Sequence, residues 1–159
     1  MSKTVSFPLE GFNVGGGVRI IIQIANGLAA EGHSVKIIVP DYAARATFKL
    51  DDRVAVEVVG TRGPLNFRKL YYLLNMCWSS ARGDVAFATG FKTAYYLWIS
   101  RILRRSRTKL VYLIQHYDPA IFAFQGWPIR SRLAALTYRL PLKKIAVSDW
   151  IRDQIQAKA

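Results

Sequence analysis

Asn13-Val14-Gly15-Gly16-Gly17-Val18-Arg19 stands between a short apolar stretch and a long helical pattern, and the fold is read outward from that junction. Upstream, Val5, Phe7 and Leu9 alternate with Ser6 and Pro8, the period of a short strand. Downstream, Ile20, Ile21, Ile24, Leu28 and Ala29 recur at helical spacing until Gly32, a helix stop. Three glycines between them let another group approach the backbone without meeting a Cβ. They also leave the first amides of the helix pointing outward, where an anion can dock on unpaired N–H groups at the positive dipole end. A phosphate-bearing ligand is expected at this turn; a plain flexible connector is the other reading of the same residues.

With 159 residues, the chain has the length of one ordinary domain, able to bury about two thirds of its unfolded surface. It is 52% hydrophobic, yet nothing in it reaches the roughly 18 uninterrupted apolar residues of a spanning helix. The longest candidate, 65–78, is broken by Asn66, Arg68, Lys69 and Asn75. No basic segment followed by an apolar one opens the chain, so no secretory signal is expected. Cys77 stands alone, which excludes an internal disulfide and suits a reducing compartment, with a cytoplasmic location expected. Net charge is +13 and uneven: residues 101–159 carry 12 Lys/Arg against 3 Asp/Glu. Such a field favours anionic partners.

The remaining pattern alternates strands and helices. Strands are expected over 34–39, 54–59, 84–88, 109–114 and 144–147. Helices are expected from Pro64 to about Arg82, Phe91 to Leu103, Pro128 to Leu140 and Asp149 to Ala157, the last capped by Ser148. Strands separated by helical crossovers imply an α/β fold, a doubly wound, Rossmann-like parallel sheet with helices on both faces. Ligands then sit beyond the carboxyl ends of the strands. Three loops converge on that edge: 9–17, Thr89-Gly90 and 115–119.

Several chemistries fall away on spacing. Gly15 and Gly17 match the first two glycines of a dinucleotide fingerprint, but Ile20 occupies the third position. Asp41 stands where a ribose-binding acid could, or it caps a turn. A Walker A loop would need Gly-Lys-Ser/Thr where Val18-Arg19-Ile20 stand. One Cys and two distant His make no zinc site, so no metal and no cofactor is expected. Gln115-His116-Tyr117-Asp118-Pro119 follows an apolar strand directly, putting His116 at the ligand edge, where an imidazole can bond a hydroxyl or exchange a proton. Asp118 can orient it; a turn begun by Asp118-Pro119 is the plainer alternative. His33 reads as a helix-end residue.

A third cluster is basic and aromatic: Phe67-Arg68-Lys69, Tyr71-Tyr72, Tyr95-Tyr96, Trp98, and Arg101, Arg104, Arg105 and Arg107 up to Lys109. Rings beside long cations suit a bilayer interface. Much of the Tyr/Trp content is expected to be packing, with the 101–109 stretch as a contact for anionic lipid. No nucleic-acid motif is present, and no nucleic-acid partner is expected.

Gly15-Gly16-Gly17-Val18-Arg19 followed by Ile24-Ala25-Asn26-Gly27-Leu28-Ala29-Ala30-Glu31-Gly32-His33-Ser34-Val35, then Tyr112-Leu113-Ile114-Gln115-His116-Tyr117-Asp118, then Ile145-Ala146-Val147-Ser148-Asp149-Trp150-Ile151-Arg152, resembles the N-terminal domain of a GT-B-fold, retaining family-4 glycosyltransferase. The landmarks span nearly the whole chain in the family's order. The resemblance implies that this domain holds the acceptor, while a second Rossmann-like domain, absent from this chain, binds most of a nucleotide-sugar. It implies that Gly16 and Gly17 approach the donor diphosphate and that His116 contacts the donor sugar as the catalytic residue. Asn13, Thr89, Gly90, Lys92 and Asp118 would line the acceptor side. The acceptor class it implies is a glycan or lipid-linked sugar of bacterial surface polysaccharide. The family's acidic E-x7-E motif belongs to the absent domain, so the chain alone is expected to be inactive, peripheral to the membrane at most. A non-catalytic membrane-surface or acceptor-docking subunit, partnering a separate donor-binding chain, is the alternative.

Overall fold

β1 (Thr4–Pro8) is buried along its last four residues, the mark of a strand with a layer on each face. A computed structural model describes residues 1–46, 48–60 and 68–158 of the chain. β1 pairs with β2 (Ser34–Pro40) on one side and β4 (Val85–Ala88) on the other, with Val5 level with both Val35 and Val85. β3 (Val54–Val59) extends the sheet beyond β2, and β5 (Lys109–Ile114) and β6 (Lys143–Ala146) beyond β4. All pairs are parallel, in the order β3-β2-β1-β4-β5-β6.

Alternation along the strands separates the two cores. Val35, Ile37 and Val39 share a cluster with Phe7, Leu113 and α1 (Gly16–Ala30), whose Ile21, Ile22, Ala25 and Ala29 are buried. Ile38, between them, faces the opposite layer with Met76 and Cys77 of α2 (Arg68–Ser80) and Tyr96 of α3 (Phe91–Arg104). Tyr112 continues that layer toward Tyr138, which follows α5 (Pro128–Thr137), and toward Ile151 and Ile155 of α6 (Asp149–Lys158). The layer is stitched as well as packed: the Ala81 N–H donates to Ser100 Oγ at 3.1 Å, and buried Ser6 Oγ donates to the Ser80 and Arg82 carbonyls.

The elements lie where the pattern puts them, with informative differences. The helix expected from Pro64 is α2; residues 64–67, including Phe67, lie outside the described residues, and the helix ends at Ser80. Asp41 begins a 3-10 turn, Asp41–Ala43, and among the described residues no α-helix links β2 to β3. Asn26 of α1 clamps that irregular connection instead: its Nδ2 donates to the Lys49 carbonyl and its Oδ1 accepts from the Asp51 N–H at 2.9 Å. The segment read as the loop 115–119 turns helical at Asp118, because α4 (Asp118–Phe124) is too short to show a period and carries Pro119 in its first turn. Ser148 caps α6 weakly, with Ile151 N–H 3.3 Å from its Oγ. Much of the Tyr content is packing, with Tyr96, Tyr112, Tyr117 and Tyr138 buried; of the four tryptophans only Trp98 is partly covered, and Trp78, Trp127 and Trp150 are exposed.

A candidate ligand cleft at the carboxyl edge of the sheet

Three connections leave the carboxyl ends of β1, β4 and β5, and the strand pairing brings them side by side. In the first, Asn13 Oδ1 accepts from the Gly15 N–H at 3.2 Å, and the chain enters α1 with Gly15 extended and no side-chain cap. The first turn of α1 holds no acid, so its dipole end is left for an outside anion. In the second, buried Thr93 organises the turn into α3: its Oγ1 accepts from the N–H groups of Thr89 and Gly90 at 2.8 and 2.9 Å. Thr89 Oγ1 in turn donates to the Pro8 carbonyl, tying β4 to β1.

The third connection carries an ion pair. His116 Nε2 lies 2.8 Å from Asp118 Oδ1; the imidazole side is half exposed while the carboxylate is 10% exposed. The hydrogen bond that His116 donates to Asp118 raises the His116 pKa above its ordinary 6.5, against the opposing effect of burial. Tyr117, between them, is anchored by stacking on Tyr138 at 5.8 Å, and Tyr138 stacks on Tyr112 at 6.0 Å. Three rings therefore hold the loop that carries the half-exposed His116 and the buried Asp118.

A cleft of about 590 Å³ joins these connections. Gly16, Gly17, Asn13, Thr89, Gly90, Lys92, His116 and Asp118, the eight site residues expected on this edge, all line it. Gly16 faces open space. Gly17 does not: a Cβ there would collide with the Gln115 side-chain amide, so the glycine lets the first and third connections close on each other. Among residues the sequence reading passed over, Glu10 pairs with Lys92, and both Glu10 and the side chains of Phe122 and Arg130 line the cleft. Thr93 had a legible signal, three residues after a Thr-Gly turn at a helix start. Glu10 and Arg130 had none, since only the topology brings them here.

Arg101, Arg104, Arg105 and Arg107 lie elsewhere. α3 starts at the cleft and runs 14 residues away, about 20 Å at about 1.5 Å per residue, so these arginines sit at the amino edge of the sheet. Arg104 is engaged there: it donates to the Trp78 carbonyl at 3.1 Å and stacks on that ring at 4.7 Å. His33 reads as expected, its Nδ1 accepting from the Lys3 N–H beyond the end of α1. Among the described residues no cluster of His, Cys, Asp and Glu could hold a metal, and no helix is long and apolar enough to cross a membrane.

No curated protein sequence matches the chain significantly. Among solved structures, Anabaena HepE (Alr3699), crystallised with UDP and glucose, matches with a TM-score of 0.66 at 16% identity, over 99% of this chain and 41% of that one. The chain therefore spans about two fifths of that structure, with the fold of one half of a GT-B enzyme. The model of Glycosyltransferase Family 4 matches residues 14–159, the glycine junction and the histidine loop included, and the chain belongs to that family.

Proposed function

We propose that the cleft is the acceptor-side half of a glycosyl-transfer site. A nucleotide-sugar donor, held mainly by a facing lobe, presents its diphosphate to the uncapped start of α1 at Gly16 and Gly17. The observation that carries this reading is one cleft lined by both that helix start and the His116–Asp118 pair. Transfer breaks the bond from the anomeric carbon to the diphosphate oxygen and forms one to the oxygen of an acceptor hydroxyl, whose proton passes to the leaving diphosphate, with retention of configuration. The helix amides take up negative charge as it develops on the leaving diphosphate. His116, whose Nε2 is held by Asp118, turns its other ring nitrogen to a hydroxyl of the donor sugar and so places its anomeric carbon. Asn13, Thr89, Gly90, Lys92 and Asp118 border the acceptor, a glycan or lipid-linked sugar of surface polysaccharide. HepE's complex with UDP and glucose supports the nucleotide-sugar class of donor.

The test is reconstitution. Supplying a donor-binding lobe, as a separate polypeptide or as a continuation of the chain, is expected to produce sugar transfer. His116→Ala is then expected to lower kcat by at least about a hundredfold, the scale of a single preorganised donor. Absence of transfer with every such lobe would overturn the reading.

A second reading, a docking subunit without chemistry of its own, draws on one surface. Exposed Trp78, Ile102 and Leu103 lie among Arg101, Arg104, Arg105 and Arg107 at the far end of α3. It predicts binding to anionic vesicles that Arg104→Gln with Arg105→Gln weakens.

A further inference from the structure

The hairpin of α4 and α5 packs its base on α3 and exposes its outer part. None of residues 120–133 is buried, and Phe124 and Ile129 at its tip are 94% and 74% exposed. The protrusion is nevertheless rigid. Gly126, at φ 74°, ends α4 in a left-handed turn in which Trp127 N–H donates to the Phe122 carbonyl at 2.8 Å and Gly126 N–H to that of Ala123. The Phe122 and Trp127 rings stack across that turn, the Arg130 guanidinium lies 4.4 Å over Trp127, and Phe122 meets Phe91 of α3 edge-on. Ser131 Oγ closes the base by donating to the Pro119 carbonyl. A braced element that presents large apolar side chains to solvent is built for an occupant.

Charge identifies the occupant. Residues 119–148 hold 5 Lys/Arg, counted apart from the arginines of 101–107 at the opposite edge of the sheet. From 119 to 148 there is no acid at all, and Arg130 and Arg132 sit on the hairpin itself. A second copy docking here would bring like charges together without relief. An anionic bilayer meets both features, since its headgroups pair with the arginines and its interfacial layer accepts the apolar tip.

We propose that the α4–α5 hairpin seats the protein on an anionic membrane. Phe124 and Ile129 enter the interfacial layer, Trp127 lies at headgroup level, and Arg130 and Arg132 pair with lipid phosphates. Because Phe122 and Arg130 also wall the cleft, its mouth opens along the bilayer. On the glycosyl-transfer reading above, from which this last step follows, the acceptor drawn into the cleft is lipid-linked. The docking itself does not depend on that reading.

Sedimentation of the 159-residue protein with vesicles tests this without donor or acceptor. The wild-type chain is expected to bind phosphatidylglycerol-containing vesicles and not pure phosphatidylcholine, with a blue shift of tryptophan emission that Trp127→Phe removes and Trp150→Phe leaves. Phe124→Ser with Ile129→Ser, at positions 94% and 74% exposed, is expected to leave the thermal melt unchanged and to weaken binding at least about tenfold. Arg130→Gln with Arg132→Gln is expected to flatten its salt dependence. No wild-type binding, equal binding to neutral vesicles, or a tip variant that binds like wild type would each overturn the proposal. So would loss of binding in Arg104→Gln/Arg105→Gln alone, which would move the contact to the other end of α3. Conversion of a dimer to a monomer by the tip variant, without vesicle binding, would assign the hairpin to a second copy and also overturn it. A failed sugar-transfer reconstitution leaves all these readouts intact, so the two readings fail separately.

Discussion

His116 and Asp118 are the clearest case in which one residue sets the behaviour of another. The raised His116 pKa means that its ion pair contributes fully below the ordinary histidine value of about 6.5 and is lost as pH rises through the higher folded value. An NMR titration should therefore show His116 holding its proton to higher pH than a free imidazole, and Asp118→Asn should bring it back toward 6.5. An unchanged midpoint in that variant would show that Asp118 does not govern the imidazole. The neighbouring glycines make a paired prediction. Gly16→Ala meets nothing and should raise stability by up to about 1 kcal/mol through helix propensity. Gly17→Ala must displace Gln115, so it should forfeit that gain in a thermal melt and impair any activity that uses the cleft. The three glycines look alike in the sequence; what separates them is a glutamine about a hundred positions away.

Among the elements, the connection from β2 to β3 and the histidine loop depend most on remote side chains. Asn26 ties the irregular connection down with two hydrogen bonds to the 49–51 backbone, so Asn26→Ala should cost about 1–3 kcal/mol in urea unfolding. An unchanged midpoint would mean that Phe48 and Leu50, packed on the α1 core, hold the segment unaided. Tyr138 is stacked between Tyr112 and Tyr117, and Tyr138→Ala should cost about 3–5 kcal/mol and loosen the loop that carries His116. Strand and helix positions were legible because a period over six or more residues reports which faces are covered. α4 was not, since seven residues with a proline in the first turn carry too little period to distinguish helix from loop. Asn26 read only as one residue of a family-like run; the strand order alone brings the 49–51 backbone beside it.

For the whole molecule, the uneven charge is the dominant long-range feature. Residues 1–60 and 149–159 are each balanced, so the layer formed by α2, α3 and α5 repels itself at low salt. Raising ionic strength from about 0.01 M to about 0.15 M shortens the screening length from about 30 to about 8 Å. The melting temperature should rise with it by about 2–4 °C, the shift that about 1 kcal/mol produces at this size; a flat response would show that the cations are already neutralised locally. The strand–glycine–helix opening, the parallel sheet and the placement of Gly16, Gly17, Thr89 and His116 at strand ends were all contained in local pattern and element order. They follow from periodicity and from the rule that parallel strands send their carboxyl ends to one edge. Which side chains share the cleft was decided by the packed fold. Glu10 meets Lys92, Arg130 reaches the rim, and Arg101 to Arg107 are carried to the opposite edge, because contacts between distant positions depend on strand order and helix length, which no local stretch of residues encodes.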